Sequence, residues 1–319
     1  MGGVSWETVP ARPHPALRPG VITYRGVRVH LDRPRRRLEA PIGAATLLLG
    51  FEQPVHISRA GRPPVSLVSV VNGLTTVPAL GEHGGRISGI EVLLEPWAAF
   101  GLFGTEQYEL ANRSIGPDQL DSVLGQLVGA LAALPTWAER FALLDRVLLE
   151  RFGAGVPVSE RVVRAWSLLR RHSGVLPVPR LAEEVGWSVR HLENRFREQI
   201  GLPPKAAARV LRLQRARRLL AAGHGQAETA AVCGYYDQAH FSGEFKAMTG
   251  CTPGEFLAAR RLPAASPVND RLAGEATSLL LASGRGALFS KTRAGSTGHA
   301  DRPAIRLPGE AGASGGQGD

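Results

Sequence analysis

LAEEVGWSVRHLENRFREQIGLPP, residues 181–204, has a second copy in the chain: TAAVCGYYDQAHFSGEFKAMTGCTP, residues 229–253. In each copy a small residue stands four positions before a glycine. An apolar pair spaced four apart follows, and a glycine and a proline close the copy. This order is typical of two short helices joined by a tight turn. The repeat therefore predicts two helix-turn-helix units.

The first copy contains the residues that such a unit needs. Gly186 allows the left-handed backbone of the turn, and Ser188 is placed to cap the second helix. Leu192 and Phe196 are four apart and therefore share the inward face of that helix. Arg190, Glu193, Asn194 and Arg197, with Val189, are then expected to face outward. Arginine and asparagine can read guanine and adenine through paired hydrogen bonds.

The second copy repeats this logic with a turn that is one residue longer. Gly234 ends its first helix, Tyr235 and Tyr236 are expected to pack in the turn, and Asp237 caps the next helix. Phe241 and Phe245 form the inward pair. The residues expected outward or at the rim are Gln238, Ala239, His240, Ser242, Gly243 and Lys246.

Between the copies, residues 204–220 are predicted to form one uninterrupted helix. A rigid helix would fix the separation of the two units, and major grooves on one face of DNA recur about every 34 Å. The arginines of this helix are interpreted as a solvated face with some phosphate contacts. They are Arg209, Arg212, Arg215, Arg217 and Arg218.

Positive charge is concentrated on the same region. The whole chain of 319 residues has a formal charge of +10. Residues 156–262 have 17 Lys and Arg against 9 Asp and Glu, whereas residues 1–155 have 15 against 14. This distribution favours a polyanionic partner for the repeat region.

These residues resemble the AraC/XylS family of bacterial transcription regulators. The resemblance is strongest at 234–242, 244–246 and 250–253, and continues at 186–192, 195–197 and 212–220. It implies a seven-helix domain with two helix-turn-helix motifs joined by a long helix. It places Arg190, Glu193, Asn194, Gln238, Ala239 and Gly243 at base-facing positions. It also places His240 near the DNA backbone. Ser188, Arg197, Arg212, Asp237, Ser242 and Lys246 are expected at the DNA backbone or the rim as well.

Two positions depart from the family pattern. Gly243 stands where the family usually has arginine or a similar long side chain, and Thr229 replaces the usual isoleucine. A glycine cannot read a base with a side chain and costs a helix up to about 1 kcal/mol. The first unit is therefore expected to supply most of the sequence specificity, and the second mostly a grip on the DNA backbone.

The predicted fold class is α+β: a β-rich, sensor-like N-terminal domain followed by an all-α domain with two helix-turn-helix motifs joined by a long helix. We expect a flexible arm at 1–20, the N-terminal domain at 21–153, the DNA-binding domain at 158–262 and a disordered tail at 263–319. Strands are predicted at 23–30, 46–52, 55–58, 65–71 and 87–94. Helices are predicted at 97–103, 118–133, 136–151 and 159–172.

The sequence favours a regulator that binds double-stranded promoter DNA in the cytoplasm, associated with the nucleoid when bound. A small-molecule effector, a second copy of the chain and RNA polymerase are further candidate partners. No membrane association, cofactor, metal site or catalytic residue is expected. Cys233 and Cys251 are interpreted as reduced core thiols. Two alternatives stay open: a nonspecific architectural DNA-binding protein, and an enzyme with a DNA-binding appendage.

Overall fold

The computed structural model describes residues 4–261, 270–271 and 276–281. Within these ranges, two antiparallel sheets are followed by a helical C-terminal part. The predicted α+β class is therefore confirmed. Among the helices of the described ranges, none combines the length and the apolar character that crossing a bilayer requires.

Eleven strands form the two sheets of the described residues. They are β1 (Ser5–Ala11), β2 (Val21–His30), β3 (Arg35–Glu39), β4 (Ala45–Gly50), β5 (Val55–Arg59), β6 (Val65–Leu67), β7 (Val70–Asn72), β8 (Ala79–His83), β9 (Arg86–Leu94), β10 (Ser114–Ile115) and β11 (Ser278–Leu281). The first sheet has the order β1-β2-β9-β4-β7-β10, and the second has the order β11-β3-β8-β5-β6.

The central strand β9 has one face in the main hydrophobic core and the other face toward the second sheet. Ile90, Val92 and Leu94 point to one side, where they join the main hydrophobic core. Ile87 and Glu91 lie on the opposite side and line a cavity between the sheets. A strand covered on both faces is expected to be apolar over most of its length. The polar Glu91 in this strand therefore marks the cavity.

Ten helices follow or interrupt the strands in the described residues. They are α1 (Pro96–Phe103), α2 (Ser122–Ala133), α3 (Trp137–Ala154), α4 (Glu160–Arg171), α5 (Val178–Glu184), α6 (Val189–Ile200), α7 (Pro204–Ala221), α8 (Gln226–Val232), α9 (Gln238–Thr249) and α10 (Pro253–Arg261). Side chains of α1, α2 and α3 cover the outer face of the first sheet. The remaining seven helices form the C-terminal part.

Two predictions about the chain ends are wrong where the structure describes them. Residues 5–11 of the expected arm form β1, which pairs with β2 over seven residues, and Leu17 is buried. Residues 278–281 of the expected tail form β11, which pairs with β3. Both segments are ordered because their main chains form hydrogen bonds with the edge of a sheet. Their composition alone does not predict this pairing. The rest of the predicted tail lies outside the described residues.

Three element boundaries also differ from the prediction. Residues 65–71 are divided between β6 and β7, which belong to different sheets. The helix expected from Asp118 begins at Ser122, because Asp121 accepts the capping hydrogen bond from the Val123 amide. α3 continues to Ala154, three residues beyond the predicted end of this helix at 151. The proposed domain limits themselves stay a prediction.

The two parts of the chain meet through specific polar contacts. Glu95, directly after β9, accepts a 2.7 Å hydrogen bond from Trp166 Nε1 of α4 and pairs with Arg170. The Gly43 amide donates to Gln214 Oε1 of α7 at 2.9 Å. Arg217 of α7 donates to the Pro41 carbonyl at 3.0 Å. The N-terminal part therefore contacts the long helix α7 directly.

Candidate nucleic-acid interface and inner cavity

The first helix-turn-helix unit consists of α5 and α6. Gly186 has φ of +66° in the turn, and Ser188 Oγ accepts a 3.2 Å hydrogen bond from the His191 amide. Leu192 and Phe196 are completely buried, and Ala182 of α5 is buried as well. The cap, the turn glycine and the inward pair predicted from the sequence are confirmed.

α6 presents a polar face to solvent. Arg190, Glu193 and Asn194 are exposed together, one turn beyond the Ser188 cap. Arg197 is exposed as well, and its guanidinium lies 5.7 Å from the centre of the Tyr108 ring in the N-terminal part. The three residues predicted to face bases therefore share an accessible surface, with Arg197 at its edge near the other domain.

The second unit consists of α8 and α9. Gly234 has φ of +71°, and Asp237 Oδ1 accepts a 2.7 Å hydrogen bond from the His240 amide. Phe241 and Phe245 are fully buried, with ring centres 5.6 Å apart. Phe256 of α10 continues this aromatic stack at 5.4 Å from Phe245. Edge-to-face aromatic pairs of this kind add stability beyond their burial.

The outward face of α9 has fewer long polar side chains than the outward face of α6. Gln238, Ala239, His240 and Lys246 are exposed, and Ser242 is half-buried. Gly243 is also exposed, and a Cβ added there would meet no atom within 4 Å. The open space shows that glycine is not required at this position by packing.

The two turn tyrosines have different environments. Tyr235 is buried against Phe241, with ring centres 5.1 Å apart, as the sequence predicted. Tyr236 is 91% exposed, so the interpretation that it packs in the turn is wrong. The additional residue in this turn directs the second ring to solvent beside the start of α9. This exposed aromatic side chain beside the recognition-type helix α9 was not predicted from the sequence.

The arginines of α7 are not one solvated face. Arg209 pairs with Glu244 of α9 at 2.8 Å. Arg212 lies over the Tyr235 ring at 5.3 Å and 3.8 Å from Glu244, so its guanidinium contacts its own domain. Arg217 is completely buried against the N-terminal part, which corrects its assignment to the solvated face. Glu244, absent from the predicted site, joins α9 to α7.

Both cysteines are buried and unpaired, which confirms their interpretation as core thiols. Burial raises the pKa of each thiol, so neither is a reactive thiolate at neutral pH. Within the described ranges, no group of three or more His, Cys, Asp or Glu side chains is arranged to hold a metal ion.

A cavity of about 160 Å³ lies between the two sheets. Its apolar lining includes Val27, Ile42, Leu48, Ile57 and Val70. The charged residues of its described lining are mostly cationic: Arg25, Arg35, Arg37, Arg59 and Arg271, with Glu39 and Glu91 as the carboxylates. The sequence pattern did not predict this cavity, because the residues that line it come from eight different strands and the segments between them.

The cavity charges are connected by ion pairs. Glu91 pairs with Arg25 and, at 2.8 Å, with Arg271. Burial by itself would raise the pKa of Glu91, but the neighbouring arginines outweigh this effect and lower the pKa. His83 also lines the cavity. Burial, with Arg35 and Arg37 nearby, lowers its pKa to about 4, so the ring is neutral at pH 7.

Arg59 differs from the other cavity arginines. Its guanidinium donates to the neutral oxygens of Asn72 at 3.0 Å and Ser114 at 3.2 Å. Among the described residues, no carboxylate forms an ion pair with it. Burial and the charge of Arg271 lower the pKa of Arg59 to about 10, which leaves it cationic at neutral pH.

Two capped helices with exposed polar faces, each attached to the single helix α7, define a double helix-turn-helix domain. The family model described as "Helix-turn-helix domain" matches residues 181–259. A curated relative from Rhodococcus erythropolis, "Probable thc operon regulatory protein", is 35% identical over 86 residues. That match spans 26% of this chain and 26% of the relative.

Solved structures were found over the same region and over more of the chain. An AraC-type transcriptional regulator from Chromobacterium violaceum has 31% identity, with coverage of 33% of this chain and 95% of the other, and a TM-score of 0.31. ToxT from Vibrio cholerae has 12% identity, with coverage of 71% and 96%, and a TM-score of 0.42. Residues 181–259 of this chain form a helix-turn-helix domain of the AraC type, as the motifs indicated.

Proposed function

We propose that the chain is a sequence-specific regulator of transcription that binds double-stranded DNA. α6 and α9 are the recognition helices, and they enter adjacent major grooves. The observation that carries this proposal is the pairing of two capped, outward-facing helices on one rigid connector. α7 has 18 residues and is about 27 Å long at 1.5 Å per residue, which suits readers in successive turns of DNA.

Charge and exposure support the assignment of roles. Arg190, Glu193 and Asn194 offer side chains that can hydrogen-bond to base edges. Lys246 and the basic excess of residues 156–262 suit phosphate contacts, whose strength falls steeply with added salt. Gly243 leaves α9 with a short reading surface, so the first unit supplies most of the specificity.

Selection of bound duplexes from a randomised DNA library, using the full chain, tests this proposal. A sequence-specific regulator enriches one site with two parts in adjacent major grooves, and the site binds at least about a thousandfold tighter than random duplex. Paired copies of the site would report pairing of two chains. Equal affinity for all duplexes would instead establish nonspecific binding.

Substitution in each reader separates their contributions. Asn194→Ala is expected to weaken binding to the selected site by about 1–3 kcal/mol and to relax preference at one or two base pairs. Gln238→Ala is expected to have the smaller effect on specificity, because Ala239 and Gly243 beside it make no polar contact with bases. Affinity measurements on single-base variants of the selected duplex check both. A larger loss of specificity from Gln238→Ala would contradict the assignment.

We further propose that the cavity between the sheets binds a small effector with an anionic group and an apolar body. Five arginines against two glutamates give its lining a positive balance, and Arg59 forms hydrogen bonds only with neutral partners among the described residues. A cavity of this size is comparable with one that holds a benzene-sized molecule. A carboxylate beside Arg59 would gain a charge-assisted hydrogen bond.

Small carboxylates test this effector class. Hexanoate or benzoate is expected to raise the unfolding temperature of the full chain, and the neutral amides of the same acids are not. Arg59→Met should remove most of this stabilisation, whereas Arg62→Met, an exposed neighbour, should retain it. Equal stabilisation by acids and amides, or none by either, would contradict an anionic effector.

A further inference from the structure

The chain returns to the N-terminal part after the last helix of the DNA-binding domain. We call residues 270–271 and 276–281 the C-terminal strap. Its strand β11 pairs antiparallel with β3, from Ser278 opposite Glu39 to Leu281 opposite Arg36. The Ala40 amide donates to the Thr277 carbonyl at 3.0 Å, and Thr277 and Ser278 are completely buried. The strap is therefore an integrated part of the second sheet.

Asp270 connects the strap to the DNA-binding domain. Its carboxylate accepts two hydrogen bonds from Arg260 of α10, at 3.1 and 2.8 Å, and a third from the Thr277 amide at 2.8 Å. Arg260 also donates to the Ser278 carbonyl at 3.2 Å. A bidentate pair between arginine and carboxylate fixes orientation as well as distance. The position of α10 is thus set by the strap.

α10 is in turn part of the second helix-turn-helix unit. Phe256 of α10 is buried against Phe245 of α9, within the aromatic stack that fills this unit. A displacement of α10 would therefore disturb the helix that presents Gln238 and Lys246.

The residue that follows Asp270 in the strap lies at the cavity. Arg271 lines the cavity and pairs with Glu91 at 2.8 Å. The carbonyl of Asp270 accepts a 2.6 Å hydrogen bond from Arg25, another cavity residue. Adjacent residues of the strap therefore contact the cavity and α10, so the two sites are joined through a single peptide unit.

We propose that the strap holds the second helix-turn-helix unit in position against the N-terminal part, and that Arg260 and Asp270 are positioning residues for α9. This inference rests on the proposed DNA-binding function. A second reader held in a fixed orientation loses less freedom when both readers engage DNA, so affinity for the complete site is higher. Binding by the first reader alone gains nothing from the strap.

Arg260→Met tests this proposal, and Arg261→Met is the matched control. Arg261 is the next residue of α10 and is exposed, so both variants lose one positive charge from the same turn. Two duplexes are compared: the site recovered by selection, and a shorter duplex that ends before the part contacted by α9. Arg260→Met is expected to weaken binding to the complete site by about tenfold relative to Arg261→Met, with less than about a twofold difference on the shorter duplex.

Hydrogen exchange on the same variants shows whether the strap itself has loosened. The Ala40 amide, which donates to Thr277, should exchange faster in Arg260→Met than in Arg261→Met, with unchanged exchange across the β2–β9 pairing. Equal affinities of the two variants for the complete site, or equal losses on both duplexes, would overturn the proposal. A chain that selects no DNA sequence contradicts the proposed function instead. In that case, equal Ala40 exchange in the two variants still refutes the strap.

Discussion

Phe245→Ala is expected to abolish DNA binding by the second helix-turn-helix unit while the N-terminal part stays folded. Phe245 is fully buried at the centre of the second unit, between Phe241 and Phe256. Replacing a buried phenylalanine by alanine costs about 3–5 kcal/mol. The cost falls on α8, α9 and α10, which are short helices whose stability depends on packing against this stack.

Hydrogen exchange resolved by segment measures this effect. Amides of α9 should lose most of their protection in Phe245→Ala, whereas amides of β2 and β9 keep theirs. Binding to the selected duplex should fall to the level of a shorter duplex that ends before the part contacted by α9, because only the first reader remains ordered. Unchanged protection of α9 would show that the aromatic stack does not hold the second unit together.

Lys246→Met is the matched control for the same helix. Lys246 follows Phe245 directly but is exposed, so its replacement leaves the stack intact. The thermal unfolding of this variant should match that of the unaltered chain. Its affinity should decline by a similar factor for all duplexes, because a phosphate contact does not depend on sequence. The pair of variants thus separates loss of fold from loss of contact.

The helix-turn-helix units could be predicted because each is encoded within about 25 consecutive residues. Gly186 and Gly234 adopt the left-handed turn backbone, and Ser188 and Asp237 form the expected capping hydrogen bonds. These devices are local: a cap acts over three residues, and an inward pair is set by helical spacing. No information about distant parts of the chain was needed.

The second sheet could not be predicted in the same way. Arg35, Arg36 and Arg37 look like a charged loop in the sequence, but they form β3 between β8 and β11. Their partners are distant: Arg36 pairs with Glu82, and β11 begins at residue 278. Strands are predicted from the alternation of apolar and polar residues. This alternation does not reveal buried charged residues that neutralise one another across neighbouring strands. The cavity escaped prediction for the same reason.

Arg217 illustrates the limit within a correctly predicted helix. α7 was expected at 204–220 and is found at Pro204–Ala221. The spacing of its apolar residues defines the face that packs within the DNA-binding domain. It does not define where the N-terminal part docks, and that docking buries Arg217 at the Pro41 carbonyl. Because arginine has a long apolar stem, its side chain can lie either in solvent or at a buried contact between two parts of a protein.

The cavity cluster leads to the second large expected effect: Glu91→Gln should destabilise the N-terminal part by about 3–5 kcal/mol. Glu91 is buried and pairs with both Arg25 and Arg271. Its neutralisation leaves Glu39 as the single carboxylate among the described residues that line the cavity, against five arginines. Urea unfolding measures the change. Glu52→Gln, which alters an exposed glutamate, should change the unfolding free energy by less than about 0.5 kcal/mol.

The pH dependence gives the same prediction an independent check. The pKa of Glu91 in the folded chain is lowered from its ordinary value of 4.5, so the unfolded chain binds this proton first as pH falls. The stability contributed by Glu91 is therefore complete above about pH 5 and is lost as pH falls through the folded pKa. The Glu91→Gln variant should not show this part of the loss of folding stability at low pH. An identical acid profile in the two proteins would contradict the ionised cluster.

A double substitution then distinguishes charge balance from packing. Glu91→Gln leaves Arg271 without its closest carboxylate, and adding Arg271→Met removes that unpaired buried charge. The double variant should therefore be more stable than the sum of the two single losses predicts, with a coupling of about 1–3 kcal/mol. Strict additivity would mean that the two residues act independently despite their 2.8 Å contact. Because Arg271 belongs to the strap, a measured coupling would also show that the strap and the cavity wall are stabilised together.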